Sequence, residues 1–169
     1  MSQAVRATLV AALVALLSAA ALVAMARPAH AAGSVDVRFV DPDRYRDAGL
    51  LAADRERTLA SLAAHLRRLA QRLPDGQQLR VEVLDVDLAG ERAVRPGTEV
   101  RVLRGGADVP RLHLKWTLEQ AGAVIKSGED RLRDLDYLSG SPVTPAGDDD
   151  LPYEKRLLTR WFEARIEGR

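Results

Sequence analysis

The sequence predicts an α+β fold, a two-layer sandwich in which an antiparallel sheet of four to five strands packs against two helices. Three observations support this class. Several short segments alternate apolar and polar residues with the period of a strand, two segments place apolar residues at helical spacing, and the alternating βα units of a doubly wound fold are absent. One half-buried sheet and two amphipathic helices can bury each other without a third layer. The expected order is β-α-β-β-β-β-α, in a single domain over residues 32–169.

A strand and a long helix open this domain. The strand alternates three apolar residues with polar ones, at Val35, Val37 and Phe39. It ends at Asp41-Pro42, because the proline ring removes a backbone donor, and residues 41–53 are expected to lead as a loop into a helix capped near Asp54. The helix places leucines on one stripe, at Leu59, Leu62, Leu66, Leu69 and Leu73. The turn sequence Leu73-Pro74-Asp75-Gly76 ends it.

The second strand, about Leu79 to Leu88, shifts its apolar phase partway along. The first half has Leu79, Val81 and Val83 on one phase, and the second half has Leu84, Val86 and Leu88 on the other. Either a bulge near Val83 or Leu84 shifts the register, or the strand is buried on both faces near its start. Val100 and Val102 then indicate a third strand, which ends at Gly105-Gly106.

The carboxy-terminal half predicts a hairpin, a loop and a helix. One strand alternates polar residues with four apolar ones, at Leu112, Leu114, Trp116 and Leu118. Gln120-Ala121-Gly122 predicts the turn into the next strand, about Val124 to Leu132. Residues 139–150 have the composition of an exposed loop, and Asp150 is expected to cap the last helix. The apolar side of that helix consists of Leu157, Leu158, Trp161, Phe162 and Ile166.

Residues 1–31 have the pattern of a secretory signal peptide. Arg6 precedes an apolar run from residue 7 to 26, Pro28 ends the run, and Ala29-His30-Ala31 supplies the small residues that signal peptidase requires. Cleavage between Ala31 and Ala32 is therefore expected, which predicts a periplasmic protein with no stable membrane span after cleavage. The alternative is an uncleaved anchor, because 20 uncharged residues are long enough to cross a bilayer.

Composition and missing motifs argue against several function classes. Removal of the signal changes 25 basic and 24 acidic residues to 23 and 24, so the mature chain has a net charge of −1 and no whole-protein attraction for nucleic acid. The sequence has no cysteine, no zinc-binding His-Glu-x-x-His and no glycine-rich dinucleotide or phosphate loop, so no cofactor is predicted. His65 and His113 are more plausible as packed or solvated side chains than as catalysts.

Asp85 and Asp87 form the most informative acidic pair. Two residues apart in a strand, they would project from one face, as a cation site or an acid/base pair requires. The simpler interpretation is a polar strand end, and the calcium interpretation lacks the Asp, Asn and Gly offsets of a calcium loop. A regular strand would bury both carboxylates, so either a bulge turns them outward or an arginine pairs with them.

Several stretches of the mature chain carry a family resemblance. The most specific are Asp85-Val86-Asp87-Leu88-Ala89-Gly90 and Tyr153-Glu154-Lys155-Arg156-Leu157-Leu158. The others are Phe39 to Tyr45, Leu73 to Gly76, Pro110 to Leu112, Gly128-Glu129 and Trp161-Phe162. Together they cover nearly all of the mature chain, which is similar to the exported bacterial proteins of domain-of-unknown-function family 3016. The resemblance implies a signal-bearing envelope protein, with no established activity, cofactor or catalytic residues to carry over.

Two function classes follow from these observations. The first is a non-enzymatic binding or interaction module of the cell envelope, whose partner is an unidentified envelope protein or ligand. The second is a carboxylate-dependent hydrolase acting on envelope glycan, which needs two carboxyl groups roughly 5 to 10 Å apart in a cleft. Trp161-Phe162 widens the apolar arc of the last helix, either for core packing or as a docking face. No catalytic residue is assigned, and the candidate binding residues are Asp85, Asp87, Asp41, Tyr45, Tyr153 and Trp161.

Overall fold

The computed structural model describes residues 32–95, 98–139 and 150–169. The predicted signal peptide up to Ala31 and most of the predicted loop 139–150 lie outside the described residues. The described strands are, in chain order, β1 Ser34–Phe39, β2 Gln77–Asp87, β3 Glu91–Arg95, β4 Thr98–Val102, β5 Arg111–Gln120 and β6 Ala123–Arg133. The described helices are α1 Ala52–Ala70 and α2 Pro152–Trp161, and α2 continues as a π-helical segment, Phe162–Glu167.

The main sheet has four strands in the order β1-β2-β5-β6, and β3 pairs with β4 as a separate hairpin. The predicted α+β class and the approximate order of elements are confirmed. The sheet is mixed, however, because β1 runs parallel to β2, whereas the sequence pattern predicts an antiparallel sheet. Helix α1 accounts for the difference: it connects β1 to β2 and returns the chain to the end of the sheet at which β1 begins.

Strand β3 is an element that the sequence pattern does not reveal. Glu91–Arg95 has no run of alternating apolar residues that would indicate a strand. Its backbone instead pairs with β4 in a regular antiparallel register, from Glu91 opposite Val102 to Arg95 opposite Thr98. Strand β3 therefore forms through backbone hydrogen bonds to β4, although its sequence has no alternating apolar pattern.

Both helices begin differently from the prediction. Leu51 and Leu151 occupy the capping positions, and neither forms a side-chain capping hydrogen bond. Asp54 lies in the first turn of α1. Asp150 accepts hydrogen bonds from Oγ of Ser61 at 2.8 Å and Nζ of Lys155 at 2.9 Å, so it contacts α1 as well as α2.

Within the described part of the chain, no helix is both long and apolar enough to cross a membrane.

Both helices pack on one face of the main sheet and bury the predicted apolar residues. The leucine stripe of α1 and the turn after it is confirmed, with Leu59 partly buried beside the buried Leu62, Leu66, Leu69 and Leu73. Trp161 and Phe162 are 4% and 0% exposed, so the apolar arc of the last helix lies in the core. Trp161 meets Trp116 of β5 edge to face, with 6.1 Å between ring centroids.

Asp130 on β6 connects the sheet to the last helix through this tryptophan pair. Its Oδ2 accepts hydrogen bonds from Nε1 of Trp116 at 2.8 Å and Nε1 of Trp161 at 3.1 Å. Its Oδ1 accepts one from Nη2 of Arg165 at 2.8 Å. Burial alone would raise the pKa of Asp130, but the two indole donors and the Arg165 charge hold the pKa below its usual value of 3.8.

The opposite face of the sheet carries polar and charged side chains, and no described helix packs on it. Strand β5 shows the alternation, because its buried apolar residues are separated by outward-pointing Arg111, His113, Lys115 and Thr117. The turn after β5 uses Ala121 and Gly122 with φ values of 51° and 80°, which suits a tight two-residue hairpin. The predicted hairpin is confirmed, and it places β6 at one edge of this polar face.

Candidate functional site

A bulge in β2 turns Asp85 and Asp87 to the outer face of the sheet. The register of β2 against β5 shifts between Val83 and Asp85, where the apolar phase of the sequence also shifts. Val83 and Val86 are 2% and 0% exposed, so both point into the core although they lie three residues apart. The predicted bulge is confirmed, and it keeps two carboxylates out of the core.

Two arginines contact this acidic pair. Nη1 of Arg111 donates to Oδ2 of Asp87 at 2.9 Å, and Nη1 of Arg46 lies 3.5 Å from the same oxygen. Oδ1 of Asp85 accepts the backbone N–H of Arg46 at 2.9 Å. Arg111 lies directly opposite Asp87 on the neighbouring strand, where an opposite-charge pair stabilises a sheet. The bulge and the arginine partners, predicted as alternatives, are both present.

The segment after β1 lies beside the same end of β2. Asp41 has a positive φ of 49° and precedes a 3₁₀ turn, Pro42–Arg44. Oη of Tyr45 donates to the carbonyl oxygen of Val83 at 2.6 Å, next to the bulge. Burial raises the pKa of Tyr45 to about 12, so its hydroxyl stays a donor at neutral pH. The structure therefore brings the predicted candidates Asp41 and Tyr45 to the acidic pair.

Asp47 belongs to this site, although sequence reasoning missed it. Its backbone forms a bridge with Asp87 at the end of β2. Its Oδ2 lies 3.0 Å from Nη2 of Arg101 and 3.6 Å from Nε of Arg92, both on the β3–β4 hairpin. Nη1 of Arg101 also donates to the carbonyl oxygen of Ala89 at 3.3 Å. These partners are distant along the chain, so no local spacing signal could have identified Asp47.

Glu154 links helix α2 to the segment that follows β2. It is 2% exposed, and its Oε1 accepts the backbone N–H of Ala89 at 2.7 Å. Burial raises the pKa of Glu154, and the Ala89 N–H offsets part of that rise. This hydrogen bond joins the two stretches in which the family resemblance is most specific, Asp85–Gly90 and Tyr153–Leu158.

Tyr153 packs behind the site against Tyr137. The two rings meet edge to face, with 4.9 Å between centroids. Oη of Tyr137 donates to Oδ1 of Asp108 at 2.9 Å, and burial raises the pKa of Tyr137 to about 12. Burial alone would raise the pKa of Asp108, but the N–H of Arg104 and the Tyr137 hydroxyl hold it below its usual value. Tyr153 and Trp161 are therefore packed against aromatic neighbours. Tyr45 also packs partly against the core, but its hydroxyl reaches the bulge in β2.

Three open clefts border the segment Asp85–Gly90. Cleft 1, about 410 Å³, lies between this segment and the turn after β1, and its lining includes Asp41, Arg44, Leu84 and Asp85. Cleft 2, about 460 Å³, lies towards β3, and its lining includes Asp47, Asp87, Ala107 and Arg111. Cleft 3, about 420 Å³, lies on the outer face of the sheet, and its lining includes Arg46, Asp85, Arg111, His113, Arg131 and Arg133.

Arginine side chains supply the positive charge at this site. In the predicted calcium candidate, Asp85 and Asp87, the side chains of Arg46 and Arg111 lie 3.5 and 2.9 Å from Asp87, and Asp85 accepts the backbone N–H of Arg46. Across the described ranges, no group of three or more His, Asp or Glu side chains is arranged to hold a metal ion. Guanidinium groups held by fixed acceptors can bind a carboxylate or a phosphate through paired N–H donors.

Comparison with known proteins gives a family match. A family model described as "Protein of unknown function (DUF3016)" matches residues 33–164. No curated protein and no solved structure matches the chain. The matched span contains the six described strands, both helices and the residues named above as lining the three clefts.

Proposed function

The chain belongs to the family described as Protein of unknown function (DUF3016), and we propose that it is an exported, non-enzymatic binding module of the cell envelope. Its ligand or partner docks at the three clefts around Asp85–Gly90. The observation that carries this proposal is the convergence of all three clefts on one short segment. Residues from the turn after β1, from β5 and from β6 complete the linings, so separate parts of the sequence build one surface.

The shape of this surface is held by hydrogen bonds to the segment itself. The N–H of Leu88 donates to the carbonyl oxygen of Asp47 at 3.1 Å, and the N–H of Ala89 donates to buried Glu154 at 2.7 Å. Asp85 in turn accepts the N–H of Arg46. A surface held in one conformation before binding loses less conformational entropy when a ligand docks, which favours affinity.

The hydrolase on envelope glycan is the alternative, and the contacts of the carboxylates favour binding. A glycosidase needs one carboxyl group to deliver a proton and another to attack the sugar or activate water. Asp87 instead accepts a hydrogen bond from Arg111 at 2.9 Å, Asp47 forms an ion pair with Arg101 at 3.0 Å, and Asp85 accepts a backbone N–H. The protein itself engages oxygens of all three carboxylates, which supports a structural role for them and a binding role for the clefts.

The proposed export of the protein depends on the signal-peptide pattern of residues 1–31. If signal peptidase cleaves after Ala31, protein recovered from the source cell should begin at Ala32 and be found in the periplasmic fraction. Intact-mass spectrometry of that protein measures where the chain begins. A mass that includes Met1 to Ala31, or recovery from the cytosolic fraction alone, would contradict export with cleavage.

Site-specific photocrosslinking in intact cells tests the clefts as the binding surface. A photoreactive residue placed at Arg44 in cleft 1 or at Ala107 in cleft 2 should give discrete adducts, because both positions are exposed at a cleft. The matched control is Asp75, an exposed position in the turn after α1. Equal adduct yields at the three positions, or none at Arg44 and Ala107, would count against the proposal.

A further inference from the structure

Most charges on the outer face of the main sheet are paired with an opposite charge. Arg38 on β1 lies 3.7 Å from Glu82 on β2, and Arg80 on β2 lies 3.0 Å from Glu119 on β5. Opposite charges on neighbouring strands stabilise an exposed sheet face, whereas like charges directly opposite each other destabilise it. On this part of the sheet, charged side chains are therefore arranged as opposite-charge pairs.

The end of the face at cleft 3 departs from this pattern. Arg111 on β5 lies directly opposite Arg133 on β6. Like charges at directly opposed positions destabilise a sheet, and Asp87 offsets only the charge of Arg111. Arg133 is exposed and forms no hydrogen bond or ion pair with the described residues. Arg131, two residues away on the same strand, lies 3.7 Å from Glu129, and that carboxylate also contacts Nε2 of His113 at 2.7 Å.

These arginines give cleft 3 an excess of positive charge. Four arginines and one aspartate line it. Asp87 pairs with Arg46 and Arg111, and Glu129 lies 3.7 Å from Arg131, so with His113 neutral the whole group keeps a formal charge of +1, which corresponds to Arg133. Arg111 is held in place by Asp87 at 2.9 Å and by the carbonyl oxygen of Ala107 at 3.2 Å. Arg133 has no partner among the described residues, and Arg131 has only a long ion pair of 3.7 Å with Glu129, so both can turn towards an anion bound beside Arg111 and Arg46. A bound anion would thus remove the repulsion between Arg111 and Arg133.

The remaining features of cleft 3 narrow the class of anion. Guanidinium N–H pairs match the oxygen geometry of phosphate. Asp85 would repel a second anionic group but can accept hydrogen bonds from hydroxyl groups. The volume of about 420 Å³ is within the range of sites that hold a small molecule. We propose that cleft 3 binds a phosphate group carried on a sugar. This inference rests on the binding role proposed above and names its ligand class.

Calorimetric titration with two probes tests this proposal and separates the sources of such a phosphate. The probes are glucosamine 1-phosphate and phosphatidylcholine vesicles containing a phosphorylated glycolipid, with vesicles lacking it as the blank. Arg131→Gln and Arg133→Gln should each weaken binding about tenfold, the usual effect of losing one hydrogen bond to a charged group. Arg38→Gln removes the same charge from the same sheet face outside the cleft, and it should change binding no more than about twofold.

The outcomes separate this inference from the proposed function. Binding of glucosamine 1-phosphate indicates a soluble sugar phosphate, whereas binding of the vesicles alone indicates a membrane glycolipid, and both support the site. Binding of neither probe, or equal losses in Arg38→Gln and Arg133→Gln, overturns it. If crosslinks at Arg44 and Ala107 persist while neither probe binds, the ligand class is wrong and the binding module stands.

The repulsion between Arg111 and Arg133 can be measured without a ligand. Arg133→Gln should raise the Tm of the unliganded protein by about 1–3 °C at low salt, because one of two opposed positive charges is removed. Arg38→Gln breaks an ion pair and should not raise the Tm. A lower Tm for Arg133→Gln would show that this arginine stabilises the free protein, which would overturn the proposal.

Discussion

Replacing Asp130 with alanine is expected to lower the free energy of unfolding by about 2–4 kcal/mol. The substitution removes the acceptor of two indole N–H groups, from Trp116 and Trp161, which then lie in the core without a partner. Each buried donor left unsatisfied destabilises the fold by about 1–3 kcal/mol. Urea unfolding followed by far-ultraviolet circular dichroism measures the loss, and tryptophan fluorescence reports on the same two rings.

Asp130→Asn is the matched control, because its amide oxygen can still accept from the indoles. It should lose only about 1–2 kcal/mol, the difference between a charged and a neutral acceptor. The folded-state pKa of Asp130 lies below 3.8, so the carboxylate stabilises the fold above that pH and this contribution is lost as the pH falls through the lowered pKa. The wild-type advantage over Asn should therefore shrink in acid. A change under about 0.5 kcal/mol for Asp130→Ala would contradict this account.

Glu154→Ala is expected to lower the free energy of unfolding by about 2–3 kcal/mol. It leaves the N–H of Ala89 buried without an acceptor and opens a small void between α2 and the segment after β2. Because that segment borders all three clefts, crosslinking from Arg44 and Ala107 should weaken in the same variant. Urea unfolding and the crosslinking yields give the two readouts.

Glu154→Gln separates the charge of Glu154 from its hydrogen bond. The glutamine oxygen can still accept from Ala89, and no charge is buried. The folded-state pKa of Glu154 is raised above 4.5, so the wild type is most stable below that value and loses stability as the pH rises towards the raised pKa. Glu154→Gln should therefore gain stability relative to the wild type between pH 4 and pH 8. A relative loss over that interval would show that the protein stabilises the ionised form.

The sequence predicts those features of the site that depend on neighbouring residues. The change of apolar phase between Val83 and Leu84 predicts the bulge, because side chains in a strand alternate strictly between two faces. The bulge in turn places Asp85 and Asp87 on the polar face, where the structure has them. The cost of burying two unpaired carboxylates likewise predicts an arginine partner, but it does not say which arginine.

The identity of those partners depends on the packing of distant segments. Arg46 and Arg111 reach Asp87 from the turn after β1 and from β5, and Arg101 reaches Asp47 from the β3–β4 hairpin. Arginine is the most frequent basic residue throughout the chain, so its presence at these positions carries no signal. The opposition of Arg111 and Arg133 is visible only in the register of β5 against β6.

The same division holds for the fold. Periodicity predicts the α+β class and the leucine stripe of α1, and the residues Gln120-Ala121-Gly122 predict the tight turn, because each depends on interactions within a few residues. The parallel pairing of β1 with β2 and the formation of β3 were decided by the tertiary structure. Strand direction depends on where a crossover helix returns the chain, and β3 is held by backbone hydrogen bonds to β4 that no side-chain pattern encodes.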